Sequence, residues 1–441
     1  MQRKGHGSFM KQQRSAKNAA QKNTAQRNSA QKNAVQRNAA QRNTAQPVQQ
    51  PLSNGLPACR AFGKCGGCDY IGTEYERQLK FKQTETERLI GSYGPVFPIT
   101  PAKHPLHYRN KVTAAFGYEK GRVISGVYEK YSHRIVNVSS CKIEDVTADG
   151  IIRTIRELLP SFRIKTYDED SGYGLLRHVM VRTGRKTREV MVILVTAGPV
   201  FPGKNNFVRA LKERHPEITT VIQNINPKRT SMVLGDRENV LYGKGYIEDI
   251  LCGLKFRISS GSFYQVNPEQ TEKLYDKAVS LCGLTGRETL LDAYCGVGTI
   301  GLIASKNAGE VIGVELNADA VKDAKVNAKL NGIGNISFYA NDAGVFIEDL
   351  AGSGKKIDVI MMDPPRTGST PAFILSAVKI RPQRIVYVSC NPETLSSDLK
   401  LFADHGYGMK EAWPFDCFPQ TAHVETVVLM ERQFGTRDIV G

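Results

Sequence analysis

The stretch TLLDAYCGVGTIGLIASKNAGEVIGVEL, residues 289–316, decides how the C-terminal part of this chain folds. A short apolar run reaches Asp292 and Ala293, a glycine-rich turn follows, then an apolar helical segment, a break at Asn307 to Gly309 and a second apolar run ending at Glu315. Two strands joined through a helix require a right-handed crossover, hence a parallel sheet covered on both faces. The same alternation continues outward through ISFYAND (336–342), DVIMMDP (358–364), RIVYVSC (384–390) and HVETVVLME (423–431). The predicted fold class is α/β, a doubly wound, mostly parallel sheet over residues 258–441. Such sheets bind ligands at the carboxyl ends of their strands. Asp292, Glu315, Asp342, Asp363 and Cys390 fall at or just inside those ends.

Gly296, Gly298 and Gly301 form a GxGxxG pattern, and Glu315 stands 19 residues after Gly296. The glycines permit a sharp turn and close approach to a ligand, and an acid at the next strand end can take both ribose hydroxyls. A nicotinamide dinucleotide would suit the same spacing. Asp292 before the turn and the later Asp-Pro-Pro-Arg resemble class I methyltransferase motifs and need no pyrophosphate, which favours S-adenosylmethionine over the dinucleotide.

Cys390 ends the run RIVYVSC, and Asn391 and Pro392 force a turn that leaves its thiol at the functional edge. A thiolate there suits pyrimidine C5 methylation, in which addition at C6 makes C5 nucleophilic and a base must then remove the C5 proton. The start of the next helix, near Thr394, predicts a thiol pKa below the usual value of about 8.5. Cys295 and Cys417 read instead as inert buried thiols.

Five segments, SFYQVN (262–267), DAYCGVGT (292–299), MDPPRTG (362–368), VSCNP (388–392) and FPQTAHVETVVLMER (418–432), together resemble the RNA uracil-5-methyltransferase family. The resemblance spans the whole predicted catalytic domain. It implies a Rossmann-like class I methyltransferase domain, Cys390 as nucleophile, Glu425 as the group that takes the C5 proton, and Gln265, Tyr294, Glu315 and Asp363 around S-adenosylmethionine. Arg366 replaces the aromatic of the Asp-Pro-Pro-Tyr motif of amino-methylating enzymes. Pro365 occupies the place where RNA cytosine-5 enzymes carry a cysteine. Both differences favour uracil.

Cys59, Cys65 and Cys68 follow a C-x5-C-x2-C spacing among Gly63, Gly66 and Gly67, and Cys141 is the only further cysteine before residue 252. Four thiolates suit an iron–sulfur cluster or a structural zinc. The spacing differs from the C-x3-C-x2-C of radical enzymes. The ribosomal branch of the same family has this arrangement and binds a [4Fe-4S] cluster, so the resemblance implies that cluster on Cys59, Cys65, Cys68 and Cys141, and 23S rRNA as partner. The small β-barrel that often opens ribosomal members has no counterpart here.

At 441 residues and 41% hydrophobic content the chain can build two or three domains. Residues 58–257 read as a mixed α+β domain carrying the four cysteines and RNA-binding surface, with strands at HVMVRTG (178–184) and EVMVILVT (189–196). Nine cysteines, an odd number, disfavour a disulfide framework. No apolar run reaches the roughly 18 residues of a membrane span, and the start lacks a signal-peptide core. These features predict a soluble, cytoplasmic protein, with no obligate protein partner. Formal net charge is +17, and residues 1–50 hold ten Lys or Arg and no acid. Five-residue units such as AQKNT and AQRNS repeat between Ser15 and Gln46, and prolines mark a linker at 47–57. Residues 1–57 therefore read as a disordered cationic arm and linker suited to a polyanion, on which each neutralised phosphate releases counterions.

Overall fold

The computed structural model describes residues 59–129 and 132–433, so the arm and linker expected over 1–57 lie outside the described residues. The first sheet comprises β1 (Lys111–Glu119), β2 (Arg122–Tyr128), β3 (Ile135–Asn137), β4 (Leu176–Thr183), β5 (Val190–Thr196), β6 (Ile218–Ile225) and β7 (Arg237–Tyr242). Its seven strands run β3-β2-β1-β4-β5-β6-β7. Neighbours are antiparallel except β5 and β6, which are parallel and joined through the helix Lys204–Arg214. That helix and Val146–Ser161 cover one face, where Ile151, Ile155, Leu159, Phe207 and Leu211 meet Val112, Ala114 and Phe116. The opposite face sends Met180, Met191 and Ile193 into a core shared with the hairpin β8 (Ile247–Leu251) and β9 (Leu254–Ile258) and the helix Pro268–Cys282. Burial on both faces accounts for the unbroken apolar run of β5.

The second sheet comprises β10 (Thr289–Ala293), β11 (Glu310–Glu315), β12 (Ile336–Ala340), β13 (Val359–Met362), β14 (Arg384–Ser389), β15 (Tyr407–Phe415) and β16 (Glu425–Arg432). Its order is β12-β11-β10-β13-β14-β16-β15. β10 to β14 are mutually parallel, while β16 pairs antiparallel with both β14 and β15. β15 is a strand that the apolar pattern does not announce, because Lys410, Glu411 and Pro414 interrupt YGMKEAWPF. β16 slots between it and β14, beginning at Glu425 rather than His423.

Alternate residues of this sheet enter two cores. Leu290, Val311, Met361 and Val386 meet the helices Pro268–Cys282, Thr299–Ala304 and Ala318–Leu330 on one side. Leu291, Ile312, Ile360 and Tyr387 meet Ala343–Ser353, Pro371–Ile380 and Pro392–Asp404 on the other. Asn317, Asp342 and Asn391 each cap the helix that follows a strand, accepting hydrogen bonds from its first backbone N–H groups. These caps bring each chain reversal to the carboxyl edge of the sheet, and strand order reverses between β10 and β13. Among the described residues no helix is long and apolar enough to cross a membrane.

Candidate active site

The turn after β10 requires left-handed backbone at Tyr294, Gly296 and Gly298, with φ of 65°, 56° and 80°. At Gly298 a Cβ would lie 2.7 Å from the Phe338 ring. At Gly301 it would lie 2.6 Å from Asp292 Oδ2, the same oxygen that accepts the Gly301 N–H at 2.8 Å. Glu315 accepts the N–H groups of Gly296 at 3.1 Å and Asn317 at 2.8 Å, tying the turn to the end of β11. Asp363 follows β13, its N–H donating to Ala293 O at 3.4 Å, and its half-buried carboxyl has no hydrogen-bond partner among the described residues. Tyr294 Oη lies 3.2 Å from Ser369 Oγ. The Gln265 carbonyl accepts from Asn110 Nδ2 at 3.2 Å, and its side chain, like that of Thr299, hydrogen-bonds the buried Tyr275 hydroxyl.

The turn is therefore lined by acids. Burial pushes Asp292 up to about 7; the Gly301 N–H opposes this, while the charges of Asp363 and Glu315 add to it. Burial also raises Asp363 to about 7. Such a cleft favours a cationic ligand and repels a pyrophosphate. Its glycine turn, acidic strand end and unpartnered Asp363 fit an adenosyl sulfonium better than a dinucleotide.

Cys390 and Glu425 meet across the β14–β16 pair. Ser389 is the last β14 residue in register, opposite Thr426, so Cys390 and Glu425 follow at the ends of these neighbouring strands, close enough for the Glu425 charge to act on the thiol. Glu425 is buried, at 3% exposure. Burial first, then the Asp363 charge, hold its carboxyl well above the ordinary range, and Arg366 opposes them. The Cys390 thiol is pushed up to about 12 by burial and by Glu425 and Asp363, again with Arg366 opposing. This reverses the direction expected from the following helix. That helix starts at Pro392, and one helix end does not offset burial beside two acids. Arg366 itself donates to the His423 ring, 2.8 Å from Nδ1.

Cys59, Cys65, Cys68 and Cys141 come into one neighbourhood. The Cys68 thiol is raised to about 12 by burial, then by Cys141, Cys65 and Cys59. Cys141 is raised to about 12 by burial, with Glu144 and Cys59 contributing. Gly63 and Gly66 adopt positive φ, and the Gly67 N–H donates to Cys65 Sγ at 3.5 Å. Among the described residues no group of three or more cysteine, histidine or acidic side chains is spaced to hold a metal ion. The donors gathered there are all thiols, and burial together with one another's charge favours their protonated forms.

Several contributors carry no sequence signal of their own. Tyr275 reads as an ordinary core aromatic, and only the packing of its helix under the turn brings its hydroxyl to Gln265 and Thr299. His423 lies between motif residues, yet its pairing with Arg366 joins two segments 57 residues apart.

A family model described as tRNA (Uracil-5-)-methyltransferase matches residues 235–433. An uncharacterized RNA methyltransferase of Halalkalibacterium halodurans is 41% identical over 85% of this chain and 82% of its own length. One from Caldanaerobacter subterraneus is 44% identical over 85% and 84%. The crystal structure of Pyrococcus abyssi tRNA (uracil-54, C5)-methyltransferase, in complex with S-adenosyl-L-homocysteine, superposes with a TM-score of 0.69 at 27% identity, covering 83% of this chain and 86% of that one. With relatives this similar over most of both lengths, the chain belongs to the RNA uracil-5-methyltransferase family.

Proposed function

We propose that this protein methylates carbon 5 of a uridine in RNA through a covalent bond between Cys390 and carbon 6. The observation that carries it is the meeting of Cys390, Glu425 and Asp363 at adjoining strand ends. S-adenosylmethionine, when bound, supplies an electrophilic methyl group and a positive charge. Gln265, Tyr294, Glu315 and Asp363 would hold it. In the ligand-free cleft burial and the neighbouring acids favour the protonated forms of both Cys390 and Glu425. Positive charge against Asp363 favours their ionised forms. Cys390 Sγ then bonds to C6 of a uridine drawn out of its stack, and the electron pair of the C5–C6 bond becomes available at C5 for methylation. Glu425 takes the C5 proton, the C5–C6 double bond re-forms, and the C6–S electrons return to Cys390.

The 23S rRNA is the RNA we assign, together with a [4Fe-4S] cluster on Cys59, Cys65, Cys68 and Cys141 that stabilises residues 58–257 without taking part in methyl transfer. The four thiols sharing one neighbourhood support this. Residues 1–57 would add phosphate affinity, residues 258–441 would carry out the reaction, and the protein would work in the cytoplasm with no obligate protein partner. Transfer RNA is the second substrate to test, since the family model and the Pyrococcus abyssi protein carry it in their names.

Tritium transfer from labelled S-adenosylmethionine to 23S rRNA and, separately, to bulk transfer RNA tests both levels. Label in 5-methyluridine from 23S rRNA is the expected result. Label from transfer RNA alone overturns the ribosomal assignment, and no label from either, or full turnover by Cys390→Ala, overturns the mechanism.

A further inference from the structure

The helix Tyr75–Ile90 buries an unusual stripe. Its inward positions, four residues apart, are Gln78, Lys82, Thr86 and Ile90. Three of the four are polar, and burying polar groups is unfavourable unless each finds a partner. Lys82 finds its partners in the loop between β15 and β16, and Gln78 joins the same loop while also donating to Thr73 O at 2.7 Å, just before its own helix.

Lys82 Nζ pairs with Asp416 Oδ1 at 2.6 Å, both side chains at 0% exposure, and donates to Phe418 O at 3.1 Å. Tyr75 Oη donates to Asp416 Oδ2 at 2.8 Å and accepts the Ala102 N–H at 2.7 Å. Gln78 makes a two-way bond with Gln420, donating to Oε1 at 3.0 Å and accepting its N–H at 3.1 Å. Gln420 is itself in left-handed backbone, with φ of 69°. Just before the helix, directly after Cys68, the N–H groups of Asp69 and Tyr70 donate to Gln420 O at 2.9 and 3.0 Å. Asp69 Oδ2 accepts the Ala422 N–H at 2.8 Å. The loop held this way leads through His423, the partner of Arg366, into Glu425.

We infer that Lys82 and Gln78 are positioning residues for Glu425: the helix Tyr75–Ile90 fixes the loop 416–423 so that the Glu425 carboxyl faces the carbon whose proton it removes. Methyl transfer and thiol attack do not use Glu425, whereas release of the adduct does. A loosened loop therefore slows elimination more than the earlier steps. This rests on the proposed mechanism and adds to it a remote determinant of one step.

The test uses the full-length protein, S-adenosylmethionine and RNA that accepts methyl groups, with three variants: Lys82→Met, Gln78→Leu and, as reference, Glu425→Gln. Protein–RNA adduct is read on denaturing gels, alongside steady-state kcat and KM and S-adenosylhomocysteine affinity. Lys82→Met and Gln78→Leu should lose about ten- to hundredfold in kcat, the scale of a misplaced catalytic group. They should keep KM and S-adenosylhomocysteine affinity, and should accumulate adduct as Glu425→Gln does. If Lys82→Met does not fold, Gln78→Leu, which keeps the ion pair, decides. Folded variants that turn over at the parental rate, or lose activity without accumulating adduct, overturn the inference. Absence of adduct in Glu425→Gln overturns the mechanism and the inference with it.

Discussion

Replacing Asp292 by Asn should change stability with opposite sign at pH 4 and at pH 8. In the folded protein the Asp292 carboxyl is raised from 3.8 to about 7, chiefly by burial. A carboxyl raised on folding costs nothing below its unfolded pKa. The penalty grows as pH climbs from about 4 to about 7 and is constant above. A rise from 3.8 to about 7, at about 1.4 kcal/mol for each tenfold change in proton affinity, gives about 4 kcal/mol of lost stability at pH 8. Asn keeps an oxygen for the Gly301 N–H, now accepted at 2.8 Å, and loses the ionisable group. It also buries an amide NH2, at about 1–3 kcal/mol if left unpaired. Asp292→Asn should therefore be about 1–3 kcal/mol more stable than the parent at pH 8 and less stable by a similar amount near pH 4. Urea unfolding of ligand-free protein, followed by circular dichroism at pH 4.5, 6 and 8, measures both. A difference of the same sign and size at all three values would refute the burial penalty assigned to Asp292.

Gly301→Ala should destabilise the protein by about 1–3 kcal/mol and weaken S-adenosylhomocysteine binding, because the new methyl would sit 2.6 Å from Asp292 Oδ2. Unchanged melting and calorimetric affinity would contradict the packing described for the turn. With its thiol raised to about 12, Cys390 should be alkylated by iodoacetamide about tenfold faster per pH unit from 7 to 10, read site by site by mass spectrometry. A plateau below pH 9 would mean that burial and the neighbouring acids do not control this thiol. Lys82→Met should cost about 3–5 kcal/mol by leaving Asp416 buried without its counter-charge, and adding Asp416→Asn should restore more than half of that. Equal instability of the single and double variants in urea would show that the ion pair is not what holds the helix to the loop.

What is legible in the chain and what is not divide along a physical line. β10, β11, β13 and β14 are legible because each is a short apolar run bounded by turn residues, and Asp292, Glu315, Asp363 and Cys390 are legible because each closes such a run. The helix Tyr75–Ile90 is not, since its buried stripe is Gln78, Lys82 and Thr86, which hydropathy assigns to water. β15 is hidden for the same reason, its charged and proline positions being tolerated on a strand at the sheet edge. The role of Asp416, buried at 0% exposure, follows only from a lysine 334 residues earlier in the chain.

The sequence by itself determined the alternation of the parallel strands β10 to β14 with their helices, the glycine turn, the acidic strand ends and the family. All of these are encoded by residues within a few positions of one another. Only the tertiary structure decided which way the site titrates. The helix after Cys390 argues locally for a more acidic thiol, yet β16 returns antiparallel beside β14 and sets Glu425 against it, with Asp363 near both. Local patterns report backbone geometry, which is set over a few residues. Proton affinities depend on burial and on charges within a few ångströms, and those neighbours are assembled from segments far apart in the chain.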